Sequence, residues 1–440
     1  MSEILKTGNN SEISAQEFAE ARALALRAKR ASTQLARAAG SVRTAALRKI
    51  ASELRVPAQQ ERILAANLED CRAAERAGVS DALLDRLRLN ERRLMALATS
   101  VDEVAALPDP LGTIEDLSVR PSGIQVGRML VPLGVVLMIY ESRPNVTIDA
   151  AVLCLKTGNA ALLRGGKESR NTNRALADLL QSVLRQSNLP EEAILFVDRP
   201  EHSFLYALLK QQGHIDLAVP RGGESLIRSV VEHAAVPVIQ HYKGVCHVYV
   251  EESADLNMAE SIILNAKLSR PGVCNAMEGI VVDEQIASEF LPRIVKSLGA
   301  HGVEVRACVR SLKHLAPLEF PHVRAASEED FDREFLGLTC TLATVSGMDE
   351  ALAFLDRHGS RHTEAIVTQD YASGLRFLRE VDASCVLVNA STRFNDGGEL
   401  GLGAELGIST SKLHAYGPMG LRELCTRKFV VFGHGEIRPS

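Results

Sequence analysis

The spacing of hydrophobic and polar positions changes character along the chain, and each change predicts a different architecture. Ser14-Ala-Gln-Glu17 has the pattern of a capping box, and the Ala/Leu/Arg-rich text behind it reads as helix almost to Leu107. Turn signals interrupt it near Val56-Pro57, Gly78 and Leu89-Asn90, and Pro108-Asp109-Pro110 ends it. A helical layer of this kind suits the covering of one face of a sheet. The polar stretch before Ser14 is expected to fray.

From Ile114 to Met129 the text alternates. Val119-Arg-Pro-Ser-Gly123 reads as a turn and Ile124-Gln-Val126 as a strand, so a projecting hairpin is predicted, the kind of arm that joins subunits. From Val131 strands and helices take turns. Strands are predicted at 135–140, 160–163, 193–197, 217–219 and 237–239, with helices at 147–156, 172–186, 205–212 and 224–233. Val135 to Tyr140 is apolar throughout, as a parallel strand covered on both faces requires. Repeated strand–helix units of this sort make a doubly wound α/β domain with nucleotide-binding topology. A second α/β lobe follows, with apolar segments at 247–250, 279–282, 341–344, 365–367 and 385–388, and a last strand at 428–433.

With 440 residues the chain exceeds one ordinary core. The expected division is a cofactor domain with its N-terminal helices (1–113 and 131–245), a catalytic domain (246–415), and an oligomerisation arm (114–130 and 425–440). Hydrophobic residues at 46% and charged residues at 24% exclude disordered and fibrous classes. A net charge of -5 offers no electrostatic reason to bind nucleic acid or an anionic membrane. No apolar run reaches membrane-spanning length and no signal segment opens the sequence, so a cytoplasmic protein is expected. The eight cysteines form no CxxC pair and no zinc spacing; reduced thiols and no metal site are expected.

Two glycine-rich turns are placed between a strand and a helix: Val219-Pro-Arg-Gly-Gly-Glu-Ser225 and Leu163-Arg-Gly-Gly-Lys-Glu168. Turns of this kind let the backbone approach a ligand, and free helix N–H groups attract phosphate. Each taken singly is equally well a tight turn; two in successive βα units of one domain point to a dinucleotide. Ser269-Arg-Pro-Gly-Val-Cys274-Asn-Ala-Met-Glu278 puts a thiol on a turn after a helix and just before a buried strand, at the expected domain boundary. A thiolate attacks carbonyl carbon well, and neighbouring backbone N–H groups hold the oxyanion. By default a lone cysteine is a core residue.

Long blocks in a fixed order decide between these readings: VPLGVVLMIYESRPNVTIDA, LKTGNAALLRGGKES, AVPRGG, LSRPGVCNAMEG, HTEAIVT and FNDGGELGLGAELGISTSKLHAYGPMGL. From about residue 15 onward the chain resembles the aldehyde dehydrogenase superfamily, and within it the branch that reduces glutamyl 5-phosphate in proline synthesis. The resemblance implies an aldehyde dehydrogenase-like α/β fold, with a Rossmann-type cofactor domain, an α/β catalytic domain and a small β arm. It implies NADPH as cofactor and no metal. Its implied partners are glutamyl 5-phosphate, the upstream glutamate kinase and further copies of the chain.

The resemblance makes Cys274 the nucleophile and Asn145 the side-chain oxyanion donor, with Arg143 a rival. Arg221, Gly222 and Gly223 match the turn facing the pyrophosphate. Arg164 stands where the superfamily has a lysine at the adenosine ribose, followed by Gly165 and Gly166. Lys167 stands where NAD-using relatives carry an acid, and two cations favour a 2′-phosphate; a solvated lysine is the plain alternative. Glu334 matches the glutamate on the nicotinamide ribose. Gln240-His-Tyr-Lys-Gly-Val245 replaces a block whose glutamate activates water in hydrolytic relatives, and it has no acid. Arg143, Lys243 and Arg270 are candidates for the substrate phosphate, and His362 and Glu364 for facing the substrate; a surface or structural role is as good a reading for the three cations, and a structural one for His362. Near the C-terminus Tyr416 and Arg422 replace an arginine and a glutamate common in the family.

Overall fold

The computed structural model describes residues 13–240, 242–316 and 319–438. Residues 1–12, most of the expected frayed stretch, lie outside them. Two compact units emerge: one runs to Gln240 and regains Leu402–Gly407 and the chain from Met419, the other holds His241–Gly401 and Ile408–Pro418.

In the first unit come α1 (Ala15–Leu35), α2 (Gly40–Glu53), α3 (Pro57–Arg76), α4 (Asp81–Leu87) and α5 (Glu91–Ala106). Both halves of the Ser14–Glu17 capping box form. Pro57 occupies the first turn of α3, where its missing N–H costs nothing, and Asn90 caps α5 by accepting from the Arg93 amide at 2.8 Å. Strands β1 (Ile114–Val119) and β2 (Gln125–Pro132) form the antiparallel hairpin.

Next come β3 (Val135–Tyr140), α6 (Asn145–Lys156), β4 (Ala160–Arg164), α7 (Arg170–Gln186), β5 (Ile194–Phe196), α8 (His202–Leu209), β6 (Leu217–Arg221) and α9 (Glu224–His233). The sheet is parallel, in the order β5-β4-β3-β6, and every residue of β3 is buried. Connections leave β3 on both sides, so its C-terminal end, with that of β6, is the switch point where open α/β sheets bind ligands. The strand expected at 237–239 reduces to one bridge, Ala218 with Val238. Pro237 has no N–H to extend a ladder.

The second unit holds β7 (Cys246–Val250), α10 (Leu256–Leu268), β8 (Met277–Asp283), α11 (Glu284–Ala300), β9 (Glu304–Ala307), α12 (Val309–Leu315), β10 (Val323–Ala325) and α13 (Glu328–Phe331). It continues with β11 (Thr339–Val345), α14 (Met348–His358), β12 (Thr363–Val367), α15 (Tyr371–Glu380), β13 (Cys385–Val388), β14 (Ile408–Ser409) and β15 (Gly417–Pro418). Its main sheet is parallel, ordered β10-β9-β11-β8-β7-β12-β13. Val248, Ile280, Phe290, Leu291 and Leu342 belong to the core on one face. The final strand, β16 (Cys425–Phe432), returns to the first unit and pairs antiparallel with β2 along its whole length.

Candidate active site

Cys274 lies in the turn between α10 and β8 and is half-buried. The backbone on either side of it is clamped. Its carbonyl oxygen accepts from the Cys246 thiol at 3.1 Å. A side-chain carbon added at Gly244 would fall 2.1 Å from the same oxygen, so the segment through Gly244 can pass there only as glycine. On the other side Asn275 is buried. Its carbonyl accepts from Thr392 Oγ1 at 2.7 Å, its Nδ2 donates to the Asn395 carbonyl at 2.9 Å, and its Oδ1 accepts from Arg393. The result is a fixed main chain at a half-buried cysteine.

Burial sets five of the other thiols apart from this one, while Cys308 and Cys385 are half-buried as it is. Burial pushes Cys246 well above the ordinary thiol value, and Cys154 and Cys340 up to about 12. Gly244 lies against the nucleophile turn, and the sequence from Gln240 to Val245 has no carboxylate to activate water. Lys243 is half-buried, its Nζ 3.4 Å from the Asp332 carbonyl. Arg270 is exposed and has no polar partner among the described residues.

Beneath the turn, Lys267 and Glu278 form a buried ion pair at 2.7 Å, both side chains almost fully covered. Burial raises the Glu278 carboxyl to about 7, against the charge and hydrogen bond of Lys267. The other Glu278 oxygen accepts from the Leu336 amide at 3.1 Å. Leu336 has φ 54°, a left-handed backbone for a branched residue, and this bond helps hold it. Glu334, the residue matched to the nicotinamide ribose, is half-buried in the same loop.

In the first unit, Arg164 ends β4 and is buried, with Nη2 on the Pro200 carbonyl at 2.8 Å. Its Nε is buried without a partner among the described residues, a donor that a ribose or phosphate oxygen would satisfy. Gly165 and Gly166 follow it, and Lys167 is exposed. Glu168, one residue further, accepts from Ser142 Oγ at 3.1 Å. Arg221 ends β6 and Gly223 caps α9. A side-chain carbon at Gly222 would lie 2.6 Å from the Glu141 carboxyl carbon, so this turn needs glycine to admit Glu141. Arg143 is half-buried after β3. The donor set therefore suits a dinucleotide phosphate and ribose.

Several expectations change here. The Gly223 amide already donates to Glu141 Oε1 at 3.1 Å, so a carboxylate of the chain sits where an anion was expected. Asn145 opens α6 and is exposed, and its Nδ2 donates to Asp149 Oδ2 at 3.0 Å. Burial raises Asp149 to about 6, while Asn145 and the charge of Arg221 oppose the rise. Glu364 does not present itself to a substrate. It is buried in β12, where its carboxylate takes the His247 amide and Nδ1, each at 3.1 Å. His362 is fully buried too, 3.6 Å from the Cys246 sulfur, and so stands behind the nucleophile turn. Tyr416 and Arg422 do not replace a pair: Tyr416 donates to Asp382 at 3.1 Å and Arg422 binds Glu115. Glu141, Gly244, Cys246 and Arg393 escaped sequence reading because each acts through a partner far away along the chain, and Lys267 because its partner Glu278 lies across a turn, on the following strand.

This fold and this cysteine turn define the class. A model of the aldehyde dehydrogenase family matches residues 6–304, and the chain belongs to that family. Within it, the gamma-glutamyl phosphate reductase of Nitratidesulfovibrio vulgaris is 52% identical over 412 residues, covering 94% of this chain and 97% of that protein. The gamma-glutamyl phosphate reductase of Aquifex aeolicus is 50% identical over 377 residues, with 85% and 87% covered. The crystal structure of gamma-glutamyl phosphate reductase from Thermotoga maritima matches with a TM-score of 0.91 at 41% identity, covering 96% of this chain and 100% of that one. No described helix is long and apolar enough to cross a membrane.

Proposed function

We propose that the protein reduces glutamyl 5-phosphate to glutamate 5-semialdehyde with NADPH, releasing phosphate, in the making of proline. The observation that carries this reading is the clamped, half-buried Cys274, approached by Gly244 of a 240–245 sequence that has no carboxylate. The Cys274 thiolate attacks the acyl phosphate carbonyl; the C–S bond forms, the C–O bond to phosphorus breaks, and phosphate leaves. Arg270 and Lys243 supply positive charge for that phosphate. NADPH, when bound, supplies the hydride that reduces the thioester. The tetrahedral oxyanion then expels the thiolate and frees the aldehyde. Asn145 is assigned to the oxyanion, using the N–H that Asp149 leaves unbound. An intermediate thioester survives because no base on the 240–245 stretch delivers water to it.

The adenosine ribose and pyrophosphate of NADPH fall to the first unit. Arg164, with its orphaned Nε, and Lys167 would hold the ribose and its 2′-phosphate. Arg221 and the amides of the Gly222-Gly223 turn would hold the pyrophosphate, after Glu141 yields its place. Glu334 would take the nicotinamide ribose. The three-stranded sheet of β1, β2 and β16 exposes Leu117, Val119, Phe429 and Val431, which suits an arm that joins copies of the chain.

The test is NADP reduction with glutamate semialdehyde, with and without phosphate. A rate that needs phosphate, and that coenzyme A cannot support, is expected. Turnover with coenzyme A in place of phosphate would make this an acyl-CoA enzyme on the same scaffold.

A further inference from the structure

A cavity of about 300 Å³ opens in the second unit, lined by Asn265, Ser269, Arg393, Phe394, Asp396 and Glu399. Its position ties it to the nucleophile. Arg393 binds the Asn275 side chain and donates through Nε to Ser269 Oγ at 3.2 Å, so the guanidinium bridges the two ends of the loop that carries Cys274. Those bonds use two of its five N–H donors. Among the described residues Arg393 has no carboxylate in ion-pair contact, although Asp396 and Glu399 line the same cavity. Asp396 spends one oxygen on the Gly398 amide at 3.0 Å, and Glu399 is exposed without a partner.

A guanidinium, two carboxylates, an amide and a hydroxyl around one space are the complement of an α-amino acid head group. The substrate has such a head. Three carbon–carbon bonds separate its reacting carbonyl from its α-carbon, a reach of about 4 Å. A glutamyl chain attached to Cys274 must therefore place its charged end beside the nucleophile turn. We infer that this cavity binds the head group of the substrate, Arg393 holding the α-carboxylate while Asp396 and Glu399 face the α-ammonium. The inference rests on the function proposed above and assigns the part of that substrate remote from the reaction. Recognition there selects glutamyl 5-phosphate over acyl phosphates that lack an amino-acid head.

Two readouts test it, with Arg393→Gln, Arg393→Lys and the exposed Glu399→Gln. The first is the Michaelis constant for glutamate semialdehyde. The second is labelling of Cys274 by iodoacetamide, alone and with L-glutamate or butyrate added. In the wild type L-glutamate is expected to slow labelling and butyrate to leave it unchanged. Arg393→Gln should lose the fold-protection that L-glutamate gives, whatever the rate at which its own free Cys274 labels, and raise the Michaelis constant about tenfold or more. Arg393→Lys should recover part of both, and Glu399→Gln should weaken protection with labelling unchanged. The inference is overturned if L-glutamate protects Arg393→Gln by the same factor as the wild type, which would leave Arg393 a loop clamp alone. Wild-type protein that L-glutamate protects but that fails to oxidise the semialdehyde would overturn the proposed reaction and leave the head-group site standing.

Discussion

The thiol of Cys246 donates to the main-chain carbonyl of Cys274 across 3.1 Å, so one cysteine fixes the backbone that presents the other. Their chemistry divides accordingly. Cys274→Ser should abolish activity, by about a thousandfold or more, and remove the fast-labelling thiol while leaving the melting temperature close to wild type. Cys246→Ser keeps a donor and should retain most activity. Cys246→Val leaves the carbonyl unpaired and should cost about 1–3 kcal/mol in urea unfolding. Fast labelling that persists in Cys274→Ser would refute the assignment.

Gly244→Ala tests the close approach. The new methyl would fall 2.1 Å from the Cys274 carbonyl oxygen, and backbone must move to admit it. A fall in kcat of at least about tenfold is expected, together with lower stability. Wild-type kinetics in this variant would mean that the turn is not held as described.

The buried Lys267–Glu278 pair gives a contrast between single and double changes. Lys267→Met strands a carboxylate in the interior and should cost about 3–5 kcal/mol, whereas Lys267→Met with Glu278→Leu should restore much of the loss. Denaturant midpoints of the three proteins decide it. Because Glu278 holds the Leu336 amide, the double variant should recover stability and still bind NADPH less tightly through the displaced Glu334 loop.

Asp149 supplies a pH signature. Its carboxyl is raised by burial to about 6 from an ordinary 3.8. Between those values the folded protein keeps a proton that the unfolded chain has released. The stability it contributes is therefore full below pH 3.8 and lost as pH rises through 6. Asp149→Asn should leave unfolding nearly unchanged at low pH and gain about 1–2 kcal/mol over the wild type at neutral pH, screening by solvent included. An advantage that does not grow between pH 4.5 and 7.5 would contradict this.

Lys167→Glu puts an acid where NAD-using relatives carry one. Its affinity for NADPH should drop about tenfold or more while NADH binding holds or improves. Titration of nicotinamide fluorescence measures both without turnover. Equal loss for the two nucleotides would remove Lys167 from the 2′-phosphate.

Much of this architecture was legible because periodicity and burial coincide. Val135 to Tyr140 is apolar at every position, and all six are buried in β3. Glu224 to His233 and Cys385 to Val388 form at the expected bounds. Strands β9 and β10 were not legible: Glu-Val-Arg-Ala and Val-Arg-Ala are short, charged and at or next to a sheet edge. At the site, Cys274 announces itself by its block, but its supports do not. Gly244, Cys246 and Arg393 meet the turn only after strands β7 and β8 and the segment following β13 are brought together, and no local pattern encodes that meeting. Glu364 misled for a related reason: its block lies near the nucleophile in the fold, yet strand alternation turns its carboxylate toward His247.

Strand β16 has one more effect, on how the protein is made. A nascent chain that has reached Gln240 still lacks the partner of β2, since Cys425 to Phe432 are made long after it. Until then β2 keeps a bare edge with Val126 and Leu130 on it, open to strands of other molecules. Fragments ending before residue 425, whether from stalled translation or proteolysis, should therefore cluster through that edge, and only a chain that includes Cys425 to Phe432 seals it.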